Sequence, residues 1–250
     1  MFPLKLYAIT CGWFQAPVRF FIEGGESEVL RSPIPAYLIE HPKGLALFDT
    51  GLGARYRLTV GKRLAQTETG FEFGDSDDIG ARLRAMLIDP KEVRWIINSH
   101  LHADHCGGNA SIPNAKVIIQ RREIESARSL AGTPNYDSVD FDTGHDTLEI
   151  DGEYDLYGDG SVVIFPTYGH TAGHQCVRVK LPKGDVVLAG DCCYLKRSLD
   201  ELRLPAHVHD KEQSLRVLEL LANMKRRGTR VFYGHDGEFW KDIPQASALE

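Results

Sequence analysis

Three histidines and one aspartate fall within six positions of the run Ser99-His100-Leu101-His102-Ala103-Asp104-His105-Cys106-Gly107-Gly108-Asn109. Neutral imidazole nitrogen and carboxylate oxygen are the donors that borderline divalent cations prefer, zinc above all. On an extended stretch His100 and His102 point to the same side, because side chains alternate with a period of two. Asp104 and His105 follow where Gly107-Gly108 lets the chain turn sharply. The run therefore presents two pairs of ligands, one for each of two metals. Each histidine in an ordinary core needs its own hydrogen-bond partner, which a cluster this dense cannot readily supply.

Four donors leave two cations incompletely coordinated, so other segments must contribute. Pro166-Thr167-Tyr168-Gly169-His170-Thr171-Ala172-Gly173-His174 begins where an apolar run ends. Val186-Val187-Leu188-Ala189-Gly190-Asp191 runs out into a carboxylate, and Arg230-Val231-Phe232-Tyr233-Gly234-His235-Asp236 into a histidine. Loops at one edge of a scaffold are where sites are built. With His100, His102 and His170 on one metal and Asp104, His105 and His235 on the other, Asp191 is left to bridge them through its two oxygens. Two cations sharing a water lower its pKa enough to supply hydroxide at neutral pH, and one of them polarises a carbonyl. Metal-dependent hydrolysis with two divalent ions, zinc first, is the expected chemistry.

The remaining candidates read more plainly. His174 is expected to be structural or supporting. His207-Val208-His209 mimics a ligand pair, but Asp210 reads as a helix cap and no third ligand follows. His41 and His145 lie in turns. Cys192 and Cys193 read as small buried residues rather than ligands, and five cysteines without framework spacing fit reduced thiols. Asp236 would orient His235 or face solvent.

The elements that must position these residues come from periodicity. Apolar alternation marks strands at 4–9, 35–40, 45–49, 93–98, 116–120, 161–166, 175–181, 185–190 and 230–233. Helical spacing appears at 77–88, along Ile79, Leu83, Met86 and Leu87, at 121–131, and at 211–226. In the last, Asp210 caps Gln213 and Leu215, Leu218, Leu221 and Ala222 line one face. Residues 132–147 read as one long loop. Clustered strands interrupted by single helices predict an α/β fold of two packed sheets with helices outside, one domain over 1–250.

A net charge of -6 gives no basic surface for sequence-independent nucleic-acid binding. No apolar run reaches the roughly 18 residues of a membrane span. The start of the chain lacks the charged and apolar regions of a signal peptide, so a cytoplasmic protein is expected. The expected partner is a small-molecule substrate, and the expected assembly is a monomer or homodimer.

The series HxHxDH, Gly-His, Asp, Gly-His resembles the metallo-β-lactamase superfamily across nearly the whole chain. Phe48-Asp49-Thr50-Gly51 is similar to that family's first motif. The resemblance implies an αββα sandwich of two mixed β-sheets with helices on the outer faces and a binuclear site at the sheet edges. It also implies that Asp49 steadies the metal loop from behind. Within the superfamily, the Ser99–Asn109 run, the Gly169-His170-Thr171 and Gly173-His174-Gln175 segments and Asp191-x-x-Tyr194 are similar to the N-acyl homoserine lactone lactonases, as are Tyr7-Ala8-Ile9 and the 36–51 hairpin. That likeness implies lactone-ring opening and quorum quenching. Tyr194 would then face the substrate carbonyl, and Asp104 would pass a proton to the leaving alkoxide. Trp13, Phe14, Phe20 and Phe21 would wall an acyl groove or pack in the core. Cys106, Cys192-Cys193 and His207-Val208-His209 depart from the family pattern and bear on acyl preference. Two other activities of this fold share the ligands. A thioester hydrolase of the glyoxalase II type wants a basic cluster, for which the chain beyond 194 offers Lys196, Arg197 and Arg203. An iron-dependent sulfur dioxygenase needs one iron with an open position.

Overall fold

Runs such as Val93–Ile97 and Lys116–Gln120, rich in Val and Ile, suit strands buried on both faces. The computed structural model describes residues 4–58 and 69–249. The chain up to residue 150 supplies β1 (Lys5–Pro17), β2 (Val29–His41), β3 (Gly44–Phe48), β4 (Gly70–Glu72), β5 (Val93–Ile97), β6 (Lys116–Gln120) and β7 (Thr147–Ile150). The remainder supplies β8 (Tyr154–Asp155), β9 (Val162–Pro166), β10 (Gln175–Leu181), β11 (Gly184–Leu188), β12 (Arg230–Phe232) and β13 (Ala248–Leu249). Helices α1 (Val18–Phe21), α2 (Ile79–Ala85), α3 (Ala103–Cys106) and α4 (Arg121–Ser129) come first. After them come α5 (Ser138–Phe141), α6 (Lys196–Glu201), α7 (Lys211–Arg226) and α8 (Gly237–Lys241).

The first sheet runs β13-β1-β2-β3-β5-β6-β7, with β4 also paired to β1, and the second runs β12-β11-β10-β9-β8. Both are mixed: β1, β2 and β3 pair antiparallel while β3, β5, β6 and β7 pair parallel. In the second, β9, β10 and β11 are antiparallel and β12 joins β11 in parallel. Between the sheets pack Ile39, Phe48, Ile97 and Ile118 from one and Ile164, Val177, Val186 and Leu188 from the other. The outer face of the first sheet, through Leu38, Leu47 and Ile96, takes Ile79 and Leu83 of α2. The outer face of the second, through Val187 and Val231, takes Val217, Leu218 and Leu221 of α7. These are the four layers of an αββα sandwich. Among the described residues, no helix is long and apolar enough to cross a membrane.

Several elements differ from expectation for identifiable reasons. β1 continues to Pro17 and β2 begins at Val29, well outside the alternating cores at 4–9 and 35–40. Pro33 and Pro35 hide the extension, since a proline normally argues against a central strand. They are tolerated because their missing N–H groups fall beside an irregularity of the β1–β2 register between Thr10 and Trp13. Helix α2 stops at Ala85, and Leu87 turns out to solvent, 95% exposed at a left-handed φ of 61°. On α7 the buried face is Ser214, Val217, Leu218 and Leu221, while Leu215 is outside. The 132–147 segment is a loop except for α5, capped by Asp137 accepting from Val139 N–H, and for the start of β7 at Thr147.

Candidate metal centre

Four strands deliver the donors to one edge. β5 runs into His100, His102, Asp104 and His105, β9 into His170, β11 into Asp191 and β12 into His235. The expected ligands from both sheets therefore meet where the sandwich opens. Gly190 makes the Asp191 turn possible, with a φ of 52° and a site where an added Cβ would stand only 3.0 Å from His174 Nε2 and Ser99 Cβ.

The seven expected donors form two groups. His100, His102, His170 and Asp191 make one, and Asp104, His105 and His235 the other. In the first, His100 Nε2 and His170 Nε2 lie 2.9 and 3.4 Å from His102 Nδ1. The same two nitrogens lie 3.7 and 3.4 Å from Asp191 Oδ2. Asp191 Oδ1 turns the other way, 3.1 Å from both His105 Nε2 and His235 Nε2. Asp104 Oδ2 is 3.7 Å from each of those nitrogens. Metal–nitrogen bonds of about 2.0–2.1 Å in a tetrahedron hold their donors about 3.3 Å apart, so both groups fit a small divalent cation. His105 Nε2 and Asp191 Oδ1 are buried without hydrogen-bond partners, as inward-facing ligand atoms would be.

The electrostatics of the two groups differ. Burial holds His100 and His170 well below the usual 6.5, in the neutral form a ligand needs. Burial also opposes charge on His105, but the Asp191, Asp104 and Asp49 carboxylates outweigh it and raise its pKa well above 6.5. His235 is raised in the same way by Asp191 and Asp104. Against its own burial, Asp191 is held well below 3.8 by His105 and His235. The second group thus favours positive charge at its centre.

The rings are oriented from behind. Asp49 accepts from Ser99 N–H at 2.7 Å and Ser99 O–H at 2.8 Å, and lies 2.8 Å from His105 Nδ1. His235 Nδ1 is 2.7 Å from the Pro33 carbonyl. His174 is fully buried; its Nε2 accepts from the Asp191 N–H at 3.1 Å, and its Nδ1 faces Thr167 Oγ1 at 2.8 Å. It therefore holds the backbone of Asp191 and keeps both nitrogens engaged. Although His174 also lies near Cys176 and Cys192, both thiols donate to the Ala189 carbonyl, and burial pushes the Cys192 thiol well above 9.0. Cys106 packs against Leu101, Ile119 and Tyr136. His207 and His209 are exposed, and Asp236 caps both α6 and α8 by accepting from Lys196 N–H and Phe239 N–H.

The ring of Tyr194 stands between the groups, 5.6 Å from His170 and 5.5 Å from His235. Burial, with Asp191 and Asp104 nearby, raises its phenol well above 10.0, so it stays a neutral O–H donor. Next to it an aromatic wall runs through Phe20, Phe14, Phe71 and Tyr56. Two of the expected groove residues are placed otherwise. Phe21 is fully buried behind Tyr194, and Trp13 packs under the Arg31 guanidinium at 3.7 Å. Phe71 and Tyr56 lie in a segment without periodicity, so nothing in the sequence marked them. Nothing in the sequence marks Glu123 either, an acid in the first turn of α4.

Residues 30–235 match the family model of the metallo-beta-lactamase superfamily. The chain belongs to the metallo-β-lactamase superfamily. Within it, the chain is 32% identical over 98% of both chains to an N-acyl homoserine lactonase, AttM, of Azorhizobium caulinodans. It is similar to an N-acyl homoserine lactone hydrolase with the product N-hexanoyl-L-homoserine bound at its catalytic metal centre. That TM-score is 0.88 at 26% identity, covering 100% of both chains. A mutant of AiiA from B. thuringiensis, with N-decanoyl-L-homoserine at its active site, gives the same score and identity. The metal centre of that neighbour and the His and Asp groups above together support divalent metal use by this chain.

Proposed function

We propose that the chain is a metal-dependent hydrolase that opens the lactone ring of N-acyl homoserine lactones, with two zinc-type ions. The observation that carries this reading is the two-sided Asp191, whose oxygens face separate histidine groups beside one neutral phenol. His100, His102, His170 and Asp191 would hold one ion, and Asp104, His105, His235 and Asp191 the other. Such ions make bound water acidic near neutral pH and polarise a carbonyl. Tyr194 O–H donates to the oxygen that gains charge at the lactone carbonyl. Asp104, at the partly open side of its group, would accept the proton released by the attacking water and pass it to the departing ring oxygen. Phe20, Phe71 and Tyr56, partly exposed along the aromatic wall, cover the acyl tail.

The cations a glutathione thioester would need are already engaged. Lys196 pairs with Asp200, Arg197 with Glu26 and Glu201, and Arg203 with Glu201. The experiment is metal analysis of purified protein with a pH-stat panel of acyl homoserine lactones, S-lactoylglutathione and a penicillin. Ring opening makes a carboxylic acid that ionises at neutral pH, so one proton per turnover is expected with the lactones. Strong turnover of the thioester and none of the lactones would move the chain to the thioesterase branch. A single iron per chain would point to the dioxygenase.

A further inference from the structure

Glu123, in the first turn of α4, is fully buried, and its carboxylate collects four donors. Oε1 accepts from Leu101 N–H at 3.1 Å and Tyr136 O–H at 3.2 Å. Oε2 accepts from Thr171 O–H at 2.7 Å and Gly173 N–H at 2.9 Å. Leu101 lies between His100 and His102, and Thr171 follows His170. One carboxylate thus ties together the two loops that carry the three histidines of the first group, one oxygen to each loop. The contact is tight: a Cβ at Gly173 would stand 2.3 Å from the Glu123 backbone nitrogen, so only glycine fits. A buried carboxylate is costly unless its lone pairs are filled by donors, and here three of the four donors come from the metal loops.

We propose that Glu123 is a positioning residue that sets the spacing between the His100-His102 loop and the His170 loop, and thereby the affinity of the first metal group. This rests on reading those histidines as ligands. The carboxylate touches none of the ligand atoms and acts through the backbone that carries them. Its value lies in being acceptor-only at both ends. A glutamine has the same shape but one NH2 end, and whichever way the amide turns, that end meets the N–H of Leu101 or of Gly173. Replacing Glu123 by Gln therefore releases one loop without leaving a cavity.

The test uses full-length wild type, Glu123→Gln and Thr171→Val, loaded with zinc or cobalt(II) and titrated with a chelator. Circular dichroism and melting of the metal-free forms report the fold. In Glu123→Gln one ion per chain should leave at about 10- to 100-fold lower chelator concentration, while the other behaves as in wild type. The cobalt absorption of the weakened ion should shift. Thr171→Val, which removes one donor and keeps the charge, should weaken the same ion by a smaller factor, and it carries the test if Glu123→Gln does not fold. Chelator curves identical to wild type in both variants would overturn the proposal. So would equal weakening of both ions with a lower melting temperature of the metal-free protein, which marks a merely structural residue. Lactone turnover is followed in parallel. Wild type that holds two ions but opens no lactone overturns the proposed substrate, while the chelator curves still decide the role of Glu123. Wild type that binds no zinc overturns both.

Discussion

Replacing Tyr194 by Phe removes one oxygen from the centre of the site and leaves the ring that packs it. That ring touches Phe21, His170 and His235 at centroid distances of 5.5–5.6 Å, and none of these contacts depends on the hydroxyl. The backbone role is also kept, since the Tyr194 carbonyl accepts from His235 N–H at 2.9 Å whatever the side chain. Metal content and melting temperature should therefore stay close to wild type. The loss falls on the transition state. A single donor aimed at developing charge in a water-poor site contributes about 2.7–4 kcal/mol, which is about 100- to 1000-fold in kcat. Because the effect arises only as charge develops, kcat and kcat/KM should fall together with little change in KM. The wild-type phenol is held well above 10.0, so no loss of rate from its ionisation is expected through pH 9. The assay is steady-state proton release with a hexanoyl homoserine lactone, on protein whose metal content has been measured. Loss of metal in step with activity would refute the donor role and make Tyr194 part of the metal site's framework. A KM rise at constant kcat would make it a substrate-binding contact.

Asp191→Asn removes charge facing both donor groups, so metal per chain and turnover should fall together, the latter at least about 100-fold; wild-type turnover with two ions by elemental analysis would refute the bridge. His174 is held at about 3 by burial, so it stays neutral in the fold while the unfolded chain takes up a proton below 6.5. Its contribution is complete above pH 6.5 and drains away as pH falls from 6.5 toward 3, reaching about 2 kcal/mol lost at pH 5. Urea unfolding of metal-free protein should lose about 2 kcal/mol more between pH 7 and pH 5 in wild type than in His174→Gln, since the buried His100 and His170 act alike in both, and equal losses would place the acid sensitivity elsewhere. Each methylene buried along the aromatic wall should add at most about 0.8 kcal/mol, or about fourfold in kcat/KM. Phe71→Ala should flatten that rise between butanoyl and decanoyl lactones, and an unchanged chain-length profile would move the tail to another surface.

The parts of this protein that were legible in its sequence are those where one local pattern does one job. A strand that runs into a histidine or aspartate shows both the element and its functional end. This is why His170, Asp191 and His235 could be assigned to one edge although 65 residues separate the first from the last. The four layers followed from the same alternation, because a sheet with two apolar faces must be covered on both. What stayed hidden depends on distant chain segments. Pro33 and Pro35 read as strand breakers until the register irregularity opposite them is seen. Leu215 and Val217 are equally apolar, and only the crossing of α7 over the second sheet decides which one is buried. Glu123 is the sharpest instance. In sequence it is one acid in Arg121-Arg122-Glu123, well placed for a helix N-terminus and unremarkable there. Its four donors come from positions 101, 136, 171 and 173, none within ten residues of it. A ligand announces itself because metal chemistry restricts its type to a few residues. A carboxylate that positions ligands answers only to the geometry of backbone N–H groups brought to it by folding, and that geometry leaves no local trace in the sequence.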